Sequence, residues 1–263
     1  MPLAASRPVG DQLRVWRQRR RMSQLDLALE AEVSARHLSF VETGRATPSR
    51  DMILRLADQL NIPPRERNVL LVAGGYAPIF RERPLEDPGL APARAAIDAI
   101  LAGSLPYPAF ALDRRWQVVA TNGALPQLYD GVEPALLAPP VNVLRLSLHP
   151  KGIAARIANL GEWREHLLRR LRGQIELTAD PVLIDLMSEL RSYPAPPHAR
   201  APEPGPAAML RLRLGDEVLS FLTTTMIFGT PLEITLSELA LESFFPADAA
   251  TAAAIERLAA AAC

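Results

Sequence analysis

"SQLDLALEAEVSARHLSFVETG", residues Ser23–Gly44, sets two short apolar rhythms on either side of a polar hinge, and its spacing decides the fold of the N-terminal part of the chain. Ser23 with Asp26 three residues on is a capping-box pattern, so a helix starts there. Ser34 caps the next helix, and Gly44 is placed to end it in a left-handed conformation. Ala28 is small where the two helices cross, and Val33 supplies an apolar plug after the turn. Leu38 and Val41, three apart, give the later helix its inward face. Its other face, with Arg36, Ser39, Phe40 and Thr43, is left free to enter a groove. This is the logic of a helix-turn-helix.

Working outward, Leu13 and Trp16 mark one face of a first helix that runs into "RQRRR" (17–21). "TPSRDMILRLADQLN" predicts a fourth helix capped by Ser49, with Met52, Ile53, Leu56 and Leu60 on one face. Pro64 opens a fifth, which Gly74-Gly75 stops. Residues 1–75 therefore read as an all-α, five-helix DNA-binding domain, and 76–92, rich in Gly, Pro and charge, as a linker. The net charge of zero conceals an asymmetry: residues 1–75 hold 12 Arg against 8 acids, a surplus of +4 that the remainder cancels. A basic head on an acidic body suits a polyanion-binding module attached to a second unit.

Roles on the head follow from geometry. Gln24, at a helix N-terminus, is placed for a phosphate. Arg36 has the planar fork that matches the O6/N7 edge of guanine. Ala35 and Phe40 are placed for thymine methyls, Ser39 for an adaptable hydrogen bond, and Arg45 and Arg50 for phosphates, with Thr43 on the same DNA-facing side. His37 is expected to pack. Glu32 stands where a left-handed turn favours Gly, so a slightly rearranged turn is expected.

Residues 93–263 read differently. "FALDRRWQVVATN" (110–122) predicts two short strands about a polar turn. Val141 to Ser192 is helical in pattern, "YPAPPHARAPEPGP" is a Pro-rich loop, and "MLRLRL", "EVLSFLTTTMIFG" and "EITLSELALESFF" predict three strands, the last partly helical in period. Gly215-Asp216 joins the first two of these.

The quoted motifs carry a resemblance. The Ser23–Gly44 segment with "TGRATPS" is similar to the phage-repressor, or xenobiotic-response-element, class of helix-turn-helix domains. "PYPAFALDRRWQVVATNGA" resembles the first hairpin of PAS-type sensor domains, with Asp113 at the turn and Asn122 ending the second strand. With "FGTPLEITLSELALESFFPAD" and "NVLRLSLHPKG", the chain from Gly10 to Phe245 resembles the MmyB-like regulators. The resemblance implies an α+β PAS-like domain, with an antiparallel sheet covered by helices on one face, that binds a long-chain fatty acid or similar amphiphile.

Phe110, Leu112, Trp116, Leu144, Trp163, Leu167, Phe221, Ile227 and Phe228 are the apolar set for such a cavity, with Val118, Ala120 and Thr223 as slim positions. Arg145, His149 and Arg156 are candidates for holding a carboxylate. The expected partners are double-stranded DNA and a second copy of the chain, one head making too few contacts for tight specific binding. No cofactor is expected beyond a bound fatty acid.

Other classes find little support. Hydrophobic residues make up 49% and charged residues 22%, the profile of a folded chain. The uncharged stretch 218–232 is too short for a membrane span, and the first residues lack an apolar signal core, so the cytoplasm is the expected location. Four scattered His and the single Cys263 predict no metal and no disulfide. No nucleophile elbow, HExxH or phosphate loop points to an enzyme. A constitutive regulator whose second unit only dimerises the heads, and an enzyme tethered to DNA, remain as alternatives.

Overall fold

Polar caps and left-handed exits cut the N-terminal sequence into helices. The computed structural model describes residues 7–124, 126–194, 209–229 and 233–261. Its first helices are α1 (Val9–Arg19), α2 (Gln24–Glu30), α3 (Ala35–Glu42), α4 (Arg50–Gln59) and α5 (Pro64–Ala73). Ser23 Oγ accepts from Asp26 N at 3.1 Å, and the Asp26 carboxylate accepts from Ser23 N at 3.0 Å, which closes the capping box. Ser34 and Ser49 cap α3 and α4.

Each helix then exits through one residue at positive φ: Arg21 (55°), Glu32 (53°), Gly44 (73°), Asn61 (47°) and Gly75 (84°). The N–H of the following residue reaches back to a carbonyl five residues earlier, as Val33 does to Ala28 O at 2.9 Å and Tyr76 to Leu71 O at 2.8 Å. This is a Schellman exit, and Met22, Val33, Ile62 and Tyr76 pack against the core as its apolar companions. The turn at Glu32 is therefore not rearranged as expected. The returning hydrogen bond and the packed Val33 hold Glu32 left-handed without a Gly.

Leu13, Leu27, Leu38, Ile53, Leu56 and Leu60 form the fully buried centre. Gly10 lets α1 approach α3 closely, since a Cβ there would stand 2.0 Å from Val41 O. The segment read as a linker is fastened at its start. Tyr76 Oη donates to Pro48 O at 3.1 Å, and Asn68 donates to Phe80 O at 2.7 Å while accepting from Ile79 and Phe80 N–H. Residues 7–82 belong to one compact unit and most of the described residues from Arg83 onward to a second.

In the second unit, α6 (Ala91–Gly103) leads into β1 (Ala109–Leu112) and β2 (Val118–Thr121). The helices α7 (Pro134–Leu137), α8 (Val143–Leu148), α9 (Leu160–Thr178) and α10 (Pro181–Ser192) follow. Then come β3 (Met209–Leu214), β4 (Glu217–Ile227), α11 (Ile234–Ser237), β5 (Ala240–Pro246) and α12 (Ala249–Ala261). Among the described residues the strands form one antiparallel sheet in the order β2-β1-β5-β4-β3. Two side chains pin the first hairpin. Asp113 Oδ1 accepts from Arg115 N and Gln117 N, both at 2.8 Å. Asn122 takes the Ala109 N–H and donates to the Tyr107 and Leu101 carbonyls.

β1 is buried on both faces. Phe110 and Leu112 meet α8, α9 and α10 in the main core, while Ala109 and Ala111 meet Ile97 and Leu101 of α6. The expectation of helices on one face alone is corrected accordingly. "EITLSELALESFF" divides into α11 and β5, its two periods used in turn. Most of the Pro-rich loop, with His198 and Cys263, lies outside the described residues. No helix among the described residues is long and apolar enough to cross a membrane.

Candidate functional site

On the head, the register of α3 turns Leu38 and Val41 inward and leaves Arg36, Thr43 and, just beyond the helix, Arg45 exposed. The guanidinium of Arg36 lies 5.4 Å from the half-buried Phe40 ring and that of Arg45 lies 6.0 Å from it. The ring thus carries two cations over one outward surface. Arg50, first in α4, is also exposed, and Ser39 is half-buried.

Three expectations on the head change. Gln24 was expected on a phosphate, but its Nε2 donates to Glu42 Oε2 at 2.6 Å. Glu42 is buried, and Arg17 donates to it twice, at 2.7 and 2.8 Å. A buried carboxylate needs donors on its lone pairs, so Gln24 is drawn inward and fastens α2 to α1 and α3. That hydrogen bond from Arg17 also holds its guanidinium pKa above the usual value. Ala35, expected on a thymine methyl, packs against the head core instead. His37, expected to pack, is exposed. The Thr43 hydroxyl donates to Ser39 O at 2.7 Å, which turns it back on the helix.

In the second unit a cavity of about 50 Å³ lies between the sheet and α8–α9. Phe110, Leu210, Leu212, Phe221 and Phe244 form its sheet wall, and Leu128, Tyr129, Val143, Leu146, Ser147, Ile153 and Trp163 the opposite one. Phe244 packs against Phe110 (ring centroids 5.5 Å apart) and against Phe221 edge-on (6.3 Å). Of the residues expected at the cavity, Phe110, Trp163 and Phe221 line it. Leu112, Trp116, Val118, Leu144 and Leu167 belong to the surrounding core without lining it. Trp116 is occupied elsewhere, its indole N–H donating to Gln174 at 2.7 Å and its ring lying 4.8 Å from the Arg170 guanidinium. Thr223, half-buried two residues beyond Phe221, is not on the lining.

Three of the expected cavity residues are misplaced. Ala120 pairs with Ala111 and Val118 with Leu112, so Val119 is an extra residue that bulges. The bulge reverses the alternation. Ala120 therefore faces α6, away from the cavity. Phe228 joins the same α6 cluster, and Ile227 is 69% exposed at the end of β4.

The candidates for a carboxylate partner separate in the same way. Arg145 holds Glu189 through two bonds, at 2.8 and 2.7 Å, which keeps the Glu189 pKa below the usual carboxylate value. Tyr193 donates to the same carboxylate, and burial first, then Glu189, pushes its phenol up to about 12. His149 packs edge-on to Tyr193 at 5.0 Å. Arg156 differs: it donates to the carbonyl of the cavity residue Leu128, and among the described residues no carboxylate pairs with it. Reading the sequence missed the polar members of the wall, Tyr129 and Ser147, whose only signal is their place beside apolar residues in short loop and helix segments.

Residues 93–258 match the family model of an MmyB-like transcription regulator ligand binding domain. The chain belongs to the MmyB-like transcription regulators. Residues 8–70 of this regulator match the model of a helix-turn-helix domain. None of the curated proteins compared matches the chain. The regulator thus joins a helix-turn-helix DNA-binding domain to a ligand-binding domain, and the cavity lies within the second.

Proposed function

We propose that this MmyB-like regulator binds double-stranded DNA as a homodimer through the outward face of α3, and that a fatty-acid-like amphiphile in the cavity controls it. The observation that carries the ligand half is an apolar cavity whose lining residue Leu128 is bonded at its carbonyl by the Arg156 guanidinium, which has no carboxylate partner among the described residues. The strand order β2-β1-β5-β4-β3 and the Asp113 and Asn122 anchors support a PAS-like reading of the domain. An alkyl chain gains about 0.8 kcal/mol per buried CH₂, so a long chain binds tightly without elaborate polar recognition. The cavity is a third of the roughly 150 Å³ that holds benzene. A ligand must therefore move the walls, and a ligand that favours one arrangement shifts the protein toward it.

Titration calorimetry with dodecanoic acid on the full chain tests the ligand half, and a saturable heat is expected. No heat, with no amphiphile in an organic extract of the purified protein, would leave the constitutive, dimerising alternative in its place. On DNA, Arg36→Ala is expected to cost about 1–3 kcal/mol on the specific site and to relax its sequence preference. Arg45→Ala is expected to weaken specific and random DNA alike, through the salt-dependent phosphate term. Equal losses on both DNAs for Arg36→Ala would remove it as the base reader.

A further inference from the structure

Among the described residues the cavity wall holds three side chains with polar groups and no charged one. Trp163 is 97% buried, as its 3% exposure shows, and its indole Nε1 has no hydrogen-bond partner among the described residues. Tyr129 and Ser147 line the same cavity. An indole N–H only donates, and a buried donor left unmade is rare enough in folded proteins to demand an acceptor. Burial pushes the Tyr129 phenol up to about 12, so it keeps its proton and can donate too. The neighbouring His166 ring stacks on Trp163, 5.4 Å away at 27°, and fixes the face of the indole.

We infer that the ligand is an oxygenated amphiphile, a lipid-like chain whose uncharged carbonyl or hydroxyl oxygen accepts the Trp163 indole N–H inside the cavity. The inference rests on the reading of the cavity as the ligand site and adds what the ligand must carry. A plain hydrocarbon segment at this point leaves the indole donor unmade. An ionised carboxylate there meets no cation on the wall. An oxo or hydroxyl group along the chain, or the carbonyl oxygen of an acid in its protonated form, satisfies the donor without an ionised group at this point.

Two probes of one shape separate the polar from the apolar contribution: 2-undecanone, which carries a carbonyl, and 2-methyl-1-undecene, which has a methylene in place of its oxygen. Binding of each to the full-length protein is measured by calorimetry, beside dodecanoic acid. The ketone is expected to bind about tenfold more tightly than the alkene, the worth of one hydrogen bond. Trp163→Phe, which keeps an aromatic side chain on the wall and loses the N–H, is expected to abolish that preference, bringing the ratio of ketone to alkene affinity to about one whatever the change in both. Equal binding of ketone and alkene by the wild-type protein overturns the inference with no variant needed, and so does an equal loss of both in Trp163→Phe. If dodecanoic acid binds in either of those cases, the cavity reading stands and only the polar assignment fails. If none of the three binds, the cavity reading fails first.

Discussion

Glu32 stands at φ 53° because the chain around it leaves no alternative. Leu27, Ala28 and Val33 are tied down on either side by burial and by the Val33 to Ala28 hydrogen bond. The left-handed residue is strained by about 1 kcal/mol, and replacing it with Gly removes that strain at some cost in unfolded-state entropy. Glu32→Gly is expected to stabilise the head slightly, by up to about 0.5 kcal/mol in urea unfolding, with no change in slope. A loss of stability instead would mean that the Glu32 side chain makes a contribution absent from this geometry. A second residue sets a pH window. His166 is held down to about 4 from its ordinary 6.5, by burial first and then by Arg170 and Arg169. The folded chain keeps this imidazole neutral, whereas the unfolded chain takes a proton below its ordinary value. Its stabilising contribution is therefore complete above pH 6.5 and is lost as the pH falls from 6.5 toward 4. The melting temperature of the second unit is expected to fall over that interval, and more steeply in the wild type than in His166→Gln. Parallel slopes would show that other groups set the acid sensitivity.

At the scale of elements, what the sequence discloses depends on how far apart the deciding atoms are. Caps and exits are written in four or five consecutive residues, so Ser23, Ser34, Ser49, Gly44 and Gly75 were legible where they stand. The hairpin anchors Asp113 and Asn122 were legible for the same reason. The bulge at Val119 was not, because counting alternate residues from Trp116 assumes a ladder without an extra residue, and only the pairing with β1 reveals one. α12 carries alanines rather than an apolar stripe, yet it buries Ala254 and Ile255 in the main core. The cavity depends on residues more than a hundred positions apart, Phe110 and Phe244 among them, so it was legible only as an apolar inventory. The bulge makes a direct prediction. Ile153→Trp, which fills the cavity wall, is expected to abolish dodecanoic acid binding, whereas Ala120→Trp, directed toward α6, is expected to lower stability and leave binding intact. The reverse pattern in calorimetry would place the site on the other face of the sheet.

For the whole molecule the question is whether the cavity and α3 share one free energy. A wall with room for only about 50 Å³ cannot accept a long chain in its present arrangement, so binding of dodecanoic acid would require the domain to change shape. A difference in shape becomes regulation only if DNA also distinguishes the two forms. Linkage then requires reciprocity: whatever factor dodecanoic acid applies to operator affinity, operator must apply to dodecanoic acid affinity. Allosteric couplings of this kind are typically about 1–3 kcal/mol, or 5- to 150-fold. The operator is expected to be a two-fold symmetric site with half-sites about 10 bp apart, which sets both copies of α3 on one side of the duplex. Four dissociation constants close the cycle: operator with and without the acid, and the acid with and without operator, at one salt concentration because phosphate contacts make every value salt-dependent. Two equal factors different from one would establish the coupling. Factors of one on both sides, with the acid bound, would make the cavity a structural lipid site and the regulator constitutive. Unequal factors would mean that the oligomeric state changed between the two titrations, which light scattering on the same samples detects.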